Sequence, residues 1–193
     1  MARPREFDEQ QALIKAMELF WHKGYEATSI SDLTEAMGIQ RPSLYGTFGG
    51  KEELFQAAIR KYAELSLAYI RGKLGQPTSA REAIRRYLIG ITSAEGGRRP
   101  EWGCLCVNAM TELAPHHSNL ASFTAEFQRN ITAILKETIE AGIRQGELSS
   151  KLNAASIAAA LSIAAVGLAV TMKGRPDHAE IGQAIDQMVH LLD

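Results

Sequence analysis

Arg41, Pro42, Ser43, Tyr45 and Gly46 fall within six consecutive residues, and together they have the chemistry of contact with nucleic acid. A guanidinium reaches a guanine edge or a phosphate, hydroxyls reach phosphate oxygens or base edges, and small side chains let the backbone approach closely. Arg3, Arg5 and Lys51 are the cations expected on the same face. Placement has to carry this reading, because bulk charge does not. The first sixty residues hold nine acids against seven bases (Arg3, Arg5, Lys15, Lys23, Arg41, Lys51, Arg60), and the 193-residue chain has a formal net charge of −1.

A second group of reactive side chains lies further on. Cys104 and Cys106 form a C-x-C that suits a soft-metal site, a redox pair or neither. Helical residues two apart point to nearly opposite sides, which disfavours chelation of one ion by this pair alone. Cys104 falls near a helix start, where the dipole favours thiolate, so a reactive sensor cysteine stands beside the plainer reading of a buried, inert one. His116 and His117, with Glu112, have the chemistry of metal ligands or of a solvated loop, and no metal site is assigned to them. No cofactor, catalytic residue or enzymatic activity is expected. The sequence has no Gly-rich phosphate loop, HExxH or GxSxG, and carboxylate pairs such as Glu52–Glu53 fall at solvated helix positions.

The elements that must hold these groups read as helices throughout, with no strand-like alternation of useful length. Ser29-Ile30-Ser31-Asp32 has the form of a capping box and starts a short helix. Gly38 supplies a left-handed stop, with Ile39 as the apolar residue that packs back on the turn. A second short helix opens at Gln40 to Pro42, where proline's missing N–H has no partner to lose. Leu44 and Phe48, four apart, face inward and turn Pro42, Ser43, Tyr45 and Gly46 outward. The pattern is a helix-turn-helix, floored by a helix from Asp8 to Lys23 that carries Leu13, Ala16, Met17 and Phe20 at helical spacing.

The run Gly24-Tyr25-Glu26-Ala27-Thr28-Ser29-Ile30, then Met37-Gly38-Ile39, Ser43-Leu44-Tyr45, Phe48 and Lys51-Glu52-Glu53-Leu54, resembles the N-terminal domain of TetR-type transcriptional regulators. That resemblance implies that Thr28, Tyr45 and Lys51 hold the phosphate backbone and that Arg41, Pro42, Ser43 and Gly46 occupy base-reading positions, with Ser29 and Thr47 on the same surface. Gln40 stands where the family usually has a serine-like cap, and Gly46-Thr47 where bulkier residues such as histidine are common, so base preference does not carry over. The Arg3-Pro4-Arg5 opening and Gly103-Cys104-Leu105 with Asn108 are similar to a branch that includes copper- and electrophile-responsive repressors.

The rest of the chain reads as a long helix from Lys51 to about Lys73, helices from Ser79 to Ala94, Trp102 to Leu113, Ser118 to Gln145 and Ala154 to Met172, and a last helix capped by Asp177. The expected architecture is therefore all-α: a three-helix helix-turn-helix DNA-binding domain over residues 1–50, then a helical-bundle effector-binding and dimerisation domain over residues 51–193. Tyr87, Trp102, Cys104, Met110, Phe123 and Phe127 are the candidate walls of an apolar effector pocket, although the same residues would serve equally as solid core. The segment 156–172 is uncharged but rich in Ala, Ser and Gly, which favours burial between protein surfaces over a membrane span. Leu161, Val166, Ile181, Ile185, Met188 and Val189 on the last two helices are the candidate homodimer interface. The opening MARPREFDEQQ has no apolar leader core, so the cytoplasm is expected. Double-stranded operator DNA, a second copy and a small-molecule inducer are the expected partners. The rival reading is a helical small-molecule carrier or metal-handling bundle whose N-terminal unit does not bind DNA.

Overall fold

The computed structural model describes residues 7–95 and 98–193. Nine α-helices form among them: α1 (Glu9–Lys23), α2 (Ile30–Met37), α3 (Arg41–Phe48), α4 (Lys51–Leu74), α5 (Ala80–Thr92), α6 (Leu105–Glu112), α7 (Ser118–Arg144), α8 (Ala154–Thr171) and α9 (His178–Val189). No strand forms among the described residues. The chain divides into two compact units, one ending at Leu65 and the other running from Ser66 to Asp193.

In the first unit the helix ends follow their signals. Asp8 accepts from the backbone N–H groups of Gln10 and Gln11 at the start of α1. Ser29 and Asp32 close a reciprocal capping box on α2, and Gly38 takes φ +68°, ψ 34° at its end, donating toward Glu35 and Thr34. Gln40 caps α3 without a side-chain bond. The core is made by Phe20, Leu33, Leu44, Leu54, Phe55 and Ile59, all essentially buried. Phe20 meets Phe55 edge-on at 5.0 Å, and Trp21 meets Tyr62 at 5.1 Å. Each such side chain contributes about 1.5–3 kcal/mol by leaving water. The first compact unit therefore extends past residue 50, because the first half of α4 supplies Leu54, Phe55, Ile59 and Tyr62 to it.

In the second unit α7 packs on α5, α6 and α8, and α5 on α9, around Ile84, Leu88, Leu105, Leu135, Ile139, Leu161 and Ile185. Ser79 caps α5 by accepting from Glu82, and Glu147, distant in sequence, accepts from the N–H groups of Ala80 and Arg81 at 2.7 and 3.2 Å. One helix start is thus capped twice. The segment expected as a continuous helix from Trp102 is broken: Pro100–Trp102 is a 3-10 turn, Gly103 takes φ +71°, and α6 begins only after Cys104. A Cβ on Gly103 would lie 2.9 Å from the Ala169 carbonyl oxygen, so the close approach to α8 requires glycine there.

The span Ala154–Gly174 has a mean hydropathy of 2.0 and is long and apolar enough to cross a membrane, yet 39% of it is buried inside the chain. One side, with Ala158, Leu161, Ala165, Leu168 and Met172, faces the core, while Ile163 is 74% and Val170 49% exposed. The sides differ in what covers them and not in composition.

Candidate functional site

Geometry at α3 follows from Leu44, with Phe48 only half-buried. Leu44 is fully buried, and at 100° per residue this turns Arg41, Pro42, Tyr45 and Gly46 outward, all four exposed, with Ser43 and Thr47 half-buried beside them. The Arg41 guanidinium lies 5.9 Å from the centroid of the Tyr45 ring. A Cβ on Gly46 would meet nothing within 4 Å, so glycine here is not demanded by the protein's own packing. Lys51 Nζ donates to the Glu26 carbonyl at 3.4 Å and sits 4.3 Å over the Tyr25 ring, which aligns the start of α4 with the turn before α2. Burial, and then Glu52, raise the Tyr25 hydroxyl above its usual value.

Thr28, expected to hold a phosphate, is occupied by its own chain. It is 1% exposed, its hydroxyl donates to the Gly24 carbonyl and its N–H to the Tyr25 carbonyl, so neither donor is presented outward. Its side chain shapes the turn that leads into the Ser29 cap. Ser29 is exposed, with its hydroxyl engaged by Asp32 at 2.7 Å. The Lys23 ammonium at 2.6 Å and the Ser29 donors hold the Asp32 carboxyl well below the usual carboxylate range. Arg3 and Arg5 lie outside the described residues.

The candidate pocket residues separate into two groups. Tyr87 is buried, and burial together with the neighbouring Cys104 pushes its hydroxyl well above its ordinary value. Cys104 is the N-cap of α6 in extended backbone (φ −116°, ψ 125°), so the two thiols are not placed two apart on one helix, and Cys104 is near enough to act on the Cys106 thiol. Burial, with Cys104 adding, raises the Cys106 thiol. Trp102 stands just ahead of this corner, its carbonyl accepting from Asn108 at 2.9 Å. Met110 belongs elsewhere. It lines an apolar groove of about 610 Å³ between α7 and α8 with Arg129, Thr132, Lys136, Ala159 and Ile163. Phe127 is core and Phe123 half-buried on α7. His116 and His117 are exposed, and no group of three or more His, Cys, Asp or Glu side chains converges among the described residues.

The candidate dimer residues also divide. Leu161, Ile185 and Val189 are buried in their own chain, at 0%, 1% and 6% exposure, so they are core and not free surface. Val166, Ile181 and Met188 are half-buried. Sequence reasoning missed the exposed Ile163, because an all-apolar helix gives no phase for its outer side.

A helix-turn-helix with an outward Arg–Pro–Tyr–Gly surface, followed by a helical unit, defines a DNA-binding regulator. Residues 13–58 match the family described as bacterial regulatory proteins, tetR family, and residues 77–188 match the tetracyclin repressor-like C-terminal domain. The chain belongs to the TetR family and is a DNA-binding transcriptional regulator. It is 30% identical to the uncharacterized HTH-type transcriptional regulator YezE of Bacillus subtilis over 100% of both chains. With the HTH-type transcriptional repressor ComR of Escherichia coli it shares 38% identity over 62% of this chain and 58% of that protein. Among solved structures, a cysteine-substituted form of the TetR family regulator CifR with 26-bp double-strand operator DNA matches at 32% identity, TM-score 0.85 and 100% of both chains.

Proposed function

We propose that this regulator is a homodimeric, ligand-responsive repressor that binds a palindromic operator in the cytoplasm. The observation that carries the reading is the outward row of Arg41, Pro42, Tyr45 and Gly46 opposite the buried Leu44. Arg41, Pro42, Ser43 and Gly46 read base edges, and Tyr45, Thr47, Lys51 and the exposed Ser29 approach phosphates, with Arg3 and Arg5 adding charge. The CifR–operator complex supports this assignment through full-length similarity. A second copy covers the outer side of α8. The exposed Ile163 and Val170 and the apolar groove beside them are the support, since a face of that kind favours burial against a like face.

The second unit senses the inducer near Tyr87, Trp102 and Cys104. The adjoining thiols and the Gly103-Cys104-Leu105 sequence with Asn108 support a place in the branch of copper- and electrophile-responsive repressors. Inducer binding shifts the dimer toward a spacing of recognition helices that does not fit successive major grooves, and operator affinity falls by the ratio of the two affinities.

A salt titration of binding to the DNA upstream of its own gene, read by gel shift, tests the reading. Affinity is expected to fall steeply with salt, and Lys51→Ala to reduce the log–log slope by about 0.9. Failure to retain that DNA in preference to a scrambled duplex would sink it.

A further inference from the structure

Among the described residues of the second unit, two hydroxyls are buried without a hydrogen-bond partner: Tyr69 Oη on α4 and Ser93 Oγ at the end of α5. Both belong to one corner. The Tyr69 hydroxyl presses on α5 at Gly90, where a Cβ would overlap it, so an interior helix position has given up its side chain to let a phenol in. Gly90 lies three residues after Tyr87 on α5, and Ser93, the residue that ends the helix, follows three after Gly90. Tyr87 is buried next to Cys104, and Tyr69 and Arg98 are near enough to act on its hydroxyl as well.

The Tyr69 ring is also clamped. The Arg98 guanidinium lies 4.6 Å and the Lys73 ammonium 5.5 Å from its centroid, and Lys73 is tied to Glu95 at 2.7 Å. The hydroxyl is thereby held away from water, although a buried hydroxyl with nothing to bond is destabilising. An arrangement that fixes unused donors beside a cation and a second phenol is suited to receiving an acceptor.

We propose that Tyr69 and Ser93 form the polar end of the effector site, and that the effector is a small molecule whose carbonyl or carboxylate oxygen accepts from their hydroxyls. This rests on reading the second unit as the sensor. An oxygen acceptor gains bonds that the unliganded chain lacks, whereas a hydrocarbon of equal size gains none and leaves the hydroxyls unused. A carboxylate, unlike a ketone, also draws on Arg98.

The test uses the full chain and three near-isosteric probes: benzoate, acetophenone and cumene. Binding is followed by titration calorimetry at millimolar concentrations. Benzoate or acetophenone is expected to bind at least tenfold more tightly than cumene, with most of that preference lost in Tyr69→Phe and in Ser93→Ala. Tyr69→Phe is expected to keep or raise the thermal midpoint, because it deletes an unpartnered hydroxyl. Benzoate preferred over acetophenone, with the preference lost in Arg98→Gln, identifies a carboxylate; equal binding of the two identifies a carbonyl acceptor. The proposal is overturned by equal binding of all three probes, by no binding of any, by an unchanged preference in both hydroxyl variants, or by a lowered midpoint in Tyr69→Phe. Gel shifts run in parallel separate the two failures. Operator retained with no acceptor preference removes the subsite alone, whereas loss of operator binding in the parent removes the regulator reading.

Discussion

The Lys173 ammonium donates to Asn108 Oδ1 at 3.0 Å, and the Asn108 amide donates onward to the Trp102 carbonyl at 2.9 Å. One asparagine thus fastens the Trp102–Cys104 turn to the residues that follow α8, beside the close approach of Gly103 to Ala169. Asn108→Leu removes both bonds and is expected to cost about 1–3 kcal/mol, with Lys173→Met costing about 1 kcal/mol. Urea denaturation measures both. Unchanged midpoints would show that packing alone holds the turn.

Gly46 separates stability from DNA contact. It lies within α3, exposed, with open space where a Cβ would stand. Gly46→Ala should therefore stabilise the fold by up to about 1 kcal/mol, since alanine is the better helix former. The same methyl meets a groove floor if this face reads DNA, so operator affinity is expected to fall. A variant that is more stable and binds equally well would remove Gly46 from the interface.

Asp32 gives a pH dependence of definite sign. Lys23 and Ser29 hold its carboxyl below the usual range, so its contribution is fully present above the unfolded-state value of about 3.9 and is lost as pH falls through the lower folded value. The difference in denaturation midpoint between the parent and Asp32→Asn is expected to stay constant from about pH 7 to pH 5 and to shrink only in stronger acid. Ser29→Ala, which removes the other half of the box, is expected to cost about 1 kcal/mol. A difference that instead grows toward low pH would contradict the assignment.

Ile163 tests the proposed self-association. It is 74% exposed in the single chain and borders the apolar groove. Ile163→Glu is expected to leave helicity unchanged and convert the dimer to monomer in sedimentation, with specific operator binding weakened at least tenfold because each half-site loses its partner. Retention of the dimer would move the interface to another face.

How far the fold was legible differs by region. Around α2 and α3 the signals are local: Ser29 with Asp32, Gly38 with Ile39 and Pro42 each act over a few residues, and the helices begin and end where these place them. Near Cys104 the local reading failed. Gly103 breaks the helix expected from Trp102, because its backbone must pass close to Ala169, more than sixty residues away in the chain. The resemblance placed Thr28 on the phosphate backbone, and its burial against Gly24 is legible only in the fold.

The amino-acid order by itself determined an all-helical chain, the position of the helix-turn-helix and the outward row on α3, since hydrogen bonding and helical phase act within one or two turns. Only the tertiary structure decided which side of α8 is core, that Leu161, Ile185 and Val189 are interior, and that Tyr69 and Ser93 hold buried, unpartnered hydroxyls. A uniformly apolar helix has no phase to read, and whether a polar group is bonded depends on atoms brought together from distant parts of the chain.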